Sequence, residues 1–216
     1  MKETLNFLNK LTENNNREWF QANKAFYEQA RNEFILFVGE LIKGISKFDS
    51  SVKNLSPKDC LFRIYRDTRF SNDKTPYKTN FGAFISQGGL KSQLPGYYVH
   101  VQSGECFASA GIYMPQPDAL NKIRQEIYYH FDEFKAIIES KEFKNYKLNF
   151  WEDKLKRPPK GFDSDFQGIE FIKMKSFVPY YELADDELVQ EGIADKIIKI
   201  LGIMYPLNVF LTRAIG

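Results

Sequence analysis

Residues 97–102 and 106–113 are two strand-like runs joined around Ser103-Gly104-Glu105, and this pairing constrains the fold more than any other stretch of the chain. Two extended runs about a short glycine-containing turn make a β-hairpin, and a hairpin is antiparallel by construction. Residues 61–65 and 79–85 add a second pair. In the first of these Phe62 and Ile64 oppose Arg63 and Tyr65, and in the second Phe81, Ala83 and Ile85 share one face; period-two alternation of this kind marks half-buried strands. Residues 176–183 read as an edge strand, because Pro179 has no N–H to give a ladder. About five strands, most of them in one hairpin-linked block, predict an α+β fold: a mainly antiparallel sheet with helices packed against it.

The helices come from a different period. Leu5, Leu8 and Leu11 recur at helical spacing, with Phe7 beside them. Asn14, Asn15 and Asn16 then break the pattern and offer an N-cap for a long helix over about 17–47. In that helix Phe26, Ala30, Phe34, Phe37, Val38, Leu41, Ile42 and Ile45 form one buried stripe. Further helices are expected over 118–129, 132–140 and from 184 onward, where Asp185, Asp186 and Glu187 suit the positive end of a helix dipole. Residues 169–174 fit either a helical turn or a strand. Pro206 should stop the last long helix or begin a short final one over 207–215.

A length of 216 residues suits one domain over 1–216, with a helical part to residue 50, a sheet core over 60–113 and a helical and mixed part over 116–216. Such a chain buries roughly 70% of its unfolded surface and needs no disulfide for stability. Cys60 and Cys106 are the only cysteines, both in apolar strand-like runs. Without a CxxC or a paired His, a structural zinc site is not expected. The N-terminal residues MKETLNFLNKL lack a signal-peptide core, and the apolar run over 197–211 is interrupted and short for a bilayer. A cytoplasmic protein without a membrane partner is the expectation. Phosphate-loop, dinucleotide and nucleophile-elbow motifs are absent, and no cofactor or metal is expected.

Between the strands at 61–65 and 79–85 lies the densest charge in the chain. Arg63, Arg66, Arg69, Lys74 and Lys78 face only Asp67 and Asp73 as local acids, on a protein whose formal net charge is just +2. Arginine forks match carboxylate and phosphate oxygens, and lysine adds a mobile point charge. These five cations are candidate ligand-binding residues for a small anion. Asp67 and Asp73 would orient them, and Asp67 is the candidate general base. The competing reading is an ion-pair network that fixes a long loop, since such networks imitate sites.

Other candidates sit further off. Trp19, beside Glu18 at a helix start, offers either a stacking surface or a core anchor. His100 is a candidate proton carrier on the strand face opposite Val99 and Val101, and as a lone histidine it is equally an ordinary half-buried strand residue. Arg124, beside the apolar Ile123, would close the polar site from the helix layer or lie on the surface. Lys160, in the basic loop Lys156-Arg157-Pro158-Pro159-Lys160-Gly161, would bring another cation, and with the charged loop it supports a weaker reading as a nucleic-acid contact.

These motifs carry a resemblance. Asn15-Asn16-Arg17-Glu18-Trp19-Phe20, then Arg63-Ile64-Tyr65-Arg66-Asp67-Thr68-Arg69-Phe70-Ser71, Asp73-Lys74 and Pro76-Tyr77-Lys78, resemble a bacterial and fungal family catalogued as domain of unknown function 2461. Tyr97-Tyr98-Val99-His100, Gly111 with Pro115, residues 120–124, Pro159-Lys160-Gly161-Phe162, Pro206-Leu207 and Phe210-Leu211 match the same pattern. The Lys156-Arg157-Pro158 run departs from it. The resemblance implies one domain of full chain length and carries over no reaction, cofactor or partner. The reading it leaves is a protein with an anion pocket, with phosphoesters or nucleotides as the expected ligand class. The alternative is a non-enzymatic interaction domain.

Overall fold

The computed structural model describes residues 1–69 and 71–216. Phe70 of the charged motif lies outside the described residues. The elements run α1 (Lys2–Glu13), α2 (Arg17–Ala22), α3 (Lys24–Ile45), α4 (Pro57–Cys60), β1 (Phe81–Ile85), β2 (Gly96–Val101) and β3 (Cys106–Gly111). After these come α5 (Pro117–Tyr129), α6 (Phe131–Ile138), α7 (Lys141–Asn145), β4 (Asn149–Phe150), α8 (Ile169–Ile172), β5 (Pro179–Leu183), α9 (Asp185–Leu188) and α10 (Ile193–Ile215). The fold is α+β, a five-stranded sheet in the order β1-β2-β3-β5-β4, with every pairing antiparallel.

The helix expected over 17–47 is two helices, α2 and α3, because Asn23 breaks it. Its side-chain amide donates to the Trp19 carbonyl at 2.9 Å, a local bond that competes with continued helix. The bend gathers rings from both helices onto α1. Phe7 meets Trp19, Phe20, Phe26 and Tyr27 at centroid distances of 6.1, 6.3, 5.4 and 5.6 Å. Asn16 caps α2 by accepting the Trp19 N–H at 2.9 Å, as the asparagine run suggests.

Further expectations are corrected. Residues 61–65 form no ladder strand; they touch the sheet through single bridges, Leu61 to Ala83 and Tyr65 to Tyr77. The two bridges are out of step by two residues, four along one leg against six along the other, so the pairing bulges, and Phe62 is exposed while Ile64 is buried. β5 is an inner strand between β3 and β4. Pro179 is its first residue, where a missing donor is tolerated. Pro206 neither stops nor restarts the last helix, since α10 passes through it for 23 residues, and the acidic residues expected to open that helix form the separate α9. By length and composition α10 could cross a membrane; in this fold its Ile197, Ile200, Leu201, Met204, Leu207 and Leu211 are buried in the core. Cys60 ends α4 rather than sitting in a strand, and it is buried like Cys106.

All helix packing that builds the core falls on one face of the sheet. Phe81, Ala83, Ile85, Tyr97, Val99, Val101, Ala108 and Ala110 point into a cluster with α1, α3 and the first half of α10. A second cluster joins Ile112 to α5, α6, α8 and the second half of α10, so that α10 spans both.

Candidate functional site

The charged stretch is the tip of an irregular hairpin arm, residues 61–83, that extends β1 beyond the sheet. Among the described residues its two legs are joined by three backbone bonds: Phe62 N–H to the Gly82 carbonyl, Lys78 N–H to the Ile64 carbonyl and Arg66 N–H to the Pro76 carbonyl, at 3.0, 2.7 and 3.0 Å. The arm is fastened to the helices at Tyr77. Asn15 Nδ2 donates to the Tyr77 carbonyl at 3.0 Å, and Asn15 Oδ1 accepts the Tyr77 N–H at 3.1 Å, so one amide imitates a strand partner. The Tyr77 ring lies flat on Phe20, with centroids 4.0 Å apart and planes 12° apart. The asparagine run and the charged motif, some sixty residues apart in sequence, therefore meet at this point.

The charges at the tip divide into two groups. In the paired group, Arg66 donates to both Asp73 and Thr75. Asp73 also accepts the Thr75 N–H at 2.9 Å. The Arg66 bond first, then those from Thr75, pull the Asp73 pKa down to about 2. Arg69 forks onto Asp67 through Nε at 2.9 Å and Nη2 at 2.6 Å, which lowers the Asp67 pKa. A carboxylate engaged in this way holds its arginine well and accepts a proton poorly at neutral pH. Lys74 donates to the Thr68 carbonyl at 3.0 Å.

Lys78 and Arg63 form the other group, and neither makes an ion pair among the described residues. Lys78 is half-buried, its ammonium 5.4 Å from the centre of the Phe62 ring. Burial and then the like charge of Arg63 push its pKa down. Lys78 and Arg66 line one hollow of about 370 Å³ with Thr12, Asn15, Asp73, Thr75, Tyr77, Thr79 and Asn80. A second hollow of about 390 Å³ shares Arg66 and Tyr77 with the first and is lined as well by Arg17 and Gln21 of α2. Arg17 was not among the candidates named from the sequence, and its place beside Arg66 follows only from the Asn15–Tyr77 junction.

The remaining candidates lie elsewhere. Trp19 is partly buried against Phe7. His100 is on β2, facing away from the core, and its Nδ1 lies 2.9 Å from the Tyr98 hydroxyl. Burial pushes Tyr98 up to about 12 and His100 down, so the bond joins a neutral phenol to a neutral imidazole. Arg124 is buried beside the second cluster, where Nη2 donates to the Met174 carbonyl at 3.0 Å and Nε has no partner among the described residues; it borders neither hollow of the arm. Lys160 is exposed in the 156–161 loop and also borders neither.

Comparison with curated proteins and with solved structures gives no match for the chain. One family model covers residues 3–210, nearly the whole chain, and the chain belongs to the conserved hypothetical protein family DUF2461.

Proposed function

We propose that the arm of residues 61–83 binds the anionic group of a small phosphate- or carboxylate-bearing ligand, with phosphoesters and nucleotides as the ligand class. Lys78 carries this reading. It is a half-buried ammonium without an ion pair among the described residues, disfavoured by burial and by Arg63, and set in one polar hollow with Arg66 and the Asp73 that Arg66 engages. An unpaired charge taken partly out of water is costly unless something of opposite sign completes it. A bound anion would do so, accepting from Lys78 and from the Arg66 guanidinium that Asp73 and Thr75 already hold in place.

A second reading, a structural ion-pair network in a non-enzymatic interaction domain, is favoured by the Arg66–Asp73 and Arg69–Asp67 pairs. It accounts for those two arginines and leaves Lys78 and Arg63 without a role. Thermal unfolding with inorganic phosphate, pyrophosphate and AMP separates the two readings. Anion binding predicts a saturable rise in Tm of several degrees, on the order of 5 °C at a hundredfold excess over Kd, abolished by Lys78→Gln. A Tm indifferent to all three anions at millimolar concentration would discard the reading. The network reading predicts instead that Arg66→Ala lowers Tm with no ligand response to lose.

A further inference from the structure

The face of the sheet turned away from the core is paved with rings. The register places Tyr98 and His100 of β2, Phe107 of β3 and Tyr180 of β5 on this face. Phe62 of the arm and Trp151 after β4 flank it, 43% and 46% exposed. None of the six belongs to either buried cluster. They form a continuous strip: Phe62 to Tyr98 at 6.1 Å, Tyr98 to Phe107 at 5.7 Å, His100 stacked on Phe107 at 4.9 Å and 9°, and Phe107 to Tyr180 and Trp151 at 6.2 and 6.4 Å. Small residues let the rings lie down. A Cβ at Gly82 would meet the Tyr98 hydroxyl at 2.6 Å, and one at Gly96 would meet Phe84 at 2.8 Å. Solvated faces of antiparallel sheets ordinarily alternate to polar side chains, and this one exposes π-surface.

From these observations we infer that the outer face of the sheet binds single-stranded nucleic acid, bases stacking on the strip and phosphates meeting Lys78 and Arg63. The charge at the arm end selects the occupant. Lys78 sits over Phe62 itself, and Arg63 beside it adds a second cation with no ion pair among the described residues. Stacking platforms with adjoining cations are how proteins hold unpaired strands without reading their sequence. From Phe62 through Tyr98 and Phe107 to Trp151 the ring centres trace a path of about 18 Å, which is more than one base can cover. Glu182, the register partner of Phe107, is exposed on the same face and repels phosphate there. This inference rests on the anion-binding reading for its cations and adds the rings and the polymer.

The test is a titration of the full chain with a ten-nucleotide thymidine strand, following Trp151 and Trp19 emission, with inorganic phosphate, AMP, a duplex of the same length and a neutral oligosaccharide in parallel. The inference expects quenching by the single strand and tighter binding of it than of duplex or AMP. Phe62→Ala and Trp151→Ala, both at exposed positions, should each weaken the strand about fivefold or more, and Trp151→Ala, which leaves the Lys78–Phe62 contact untouched, should leave the phosphate-induced Tm shift intact. Lys78→Gln should weaken both ligands and make the salt dependence shallower by about one ion. Phosphate binding with no strand binding, or strand binding untouched by the two ring variants, overturns the nucleic-acid inference and leaves the anion site standing. Failure of phosphate and strand together removes both. Equal affinity for AMP, quenching by the neutral sugar, or concentration-dependent dimerisation that shields Trp151 would each assign the face to another occupant.

Discussion

Asn15 and His100 show how much single side chains decide here. Asn15 supplies both bonds that tie the arm to the helices at Tyr77, and Asn15→Ala leaves the Tyr77 N–H and carbonyl without those partners. Two lost bonds in a partly buried place cost about 2 kcal/mol, to be read as a lower urea midpoint with unchanged slope. Asn15→Ala should also blunt any response to phosphate, since it frees the arm that carries Lys78. His100 is neutral in the fold because burial lowers its pKa below the usual 6.5. The unfolded chain therefore takes up a proton first as pH falls. Stability is intact above 6.5 and declines below it until the folded pKa is reached. His100→Gln should flatten that acid-side decline, measured as urea midpoints between pH 7 and 5; a slope identical to wild type would show that the imidazole does not titrate this way. Neither role could be read along the chain. Asn15 looked like one of three possible caps, and His100 like a lone strand histidine.

At the scale of elements, backbone geometry sets the limits. Gly111 ends β3 with φ 128°, and a Cβ there would fall on the Phe177 carbonyl oxygen, next to the Ile112–Phe177 bridge. Gly111→Ala combines a disfavoured φ with a clash against backbone that cannot swing aside. A loss exceeding about 3 kcal/mol is expected, and a change under 1 kcal/mol would mean the strand end relaxes freely. Most helix and strand positions were legible, because periods of 3.6 and 2 report burial directly. The misreadings have two causes. Asn23 splits a helix whose apolar stripe continues past it, and there a local side-chain bond wins over the stripe. α10 runs through Pro206, and 61–65 bulges away from a ladder its alternation invites; in these places tertiary contacts overrode a local preference, which is a weak prior of at most a few kcal/mol.

For the whole molecule, α10 matters most, since its first half lies in one hydrophobic cluster and its second half in the other. A helix shared in this way couples the two, because neither cluster can open without exposing apolar surface on α10. Far-UV circular dichroism and tryptophan emission should therefore trace one coincident unfolding curve in urea. Separated midpoints would show that the clusters melt independently. The amino-acid order by itself determined the antiparallel sheet, the helix stripes and the excess of positive charge between the first two alternating runs, since all of these follow from side-chain period and local composition. Only the tertiary structure decided which of those charges are neutralised and where the rest point. Asp67 and Asp73 settle on Arg69 and Arg66, and Lys78 is left over Phe62 at the rim of an aromatic sheet face. Pairing among charges within reach of one another depends on angles and distances across a bulged hairpin, and spacing along the chain does not encode those.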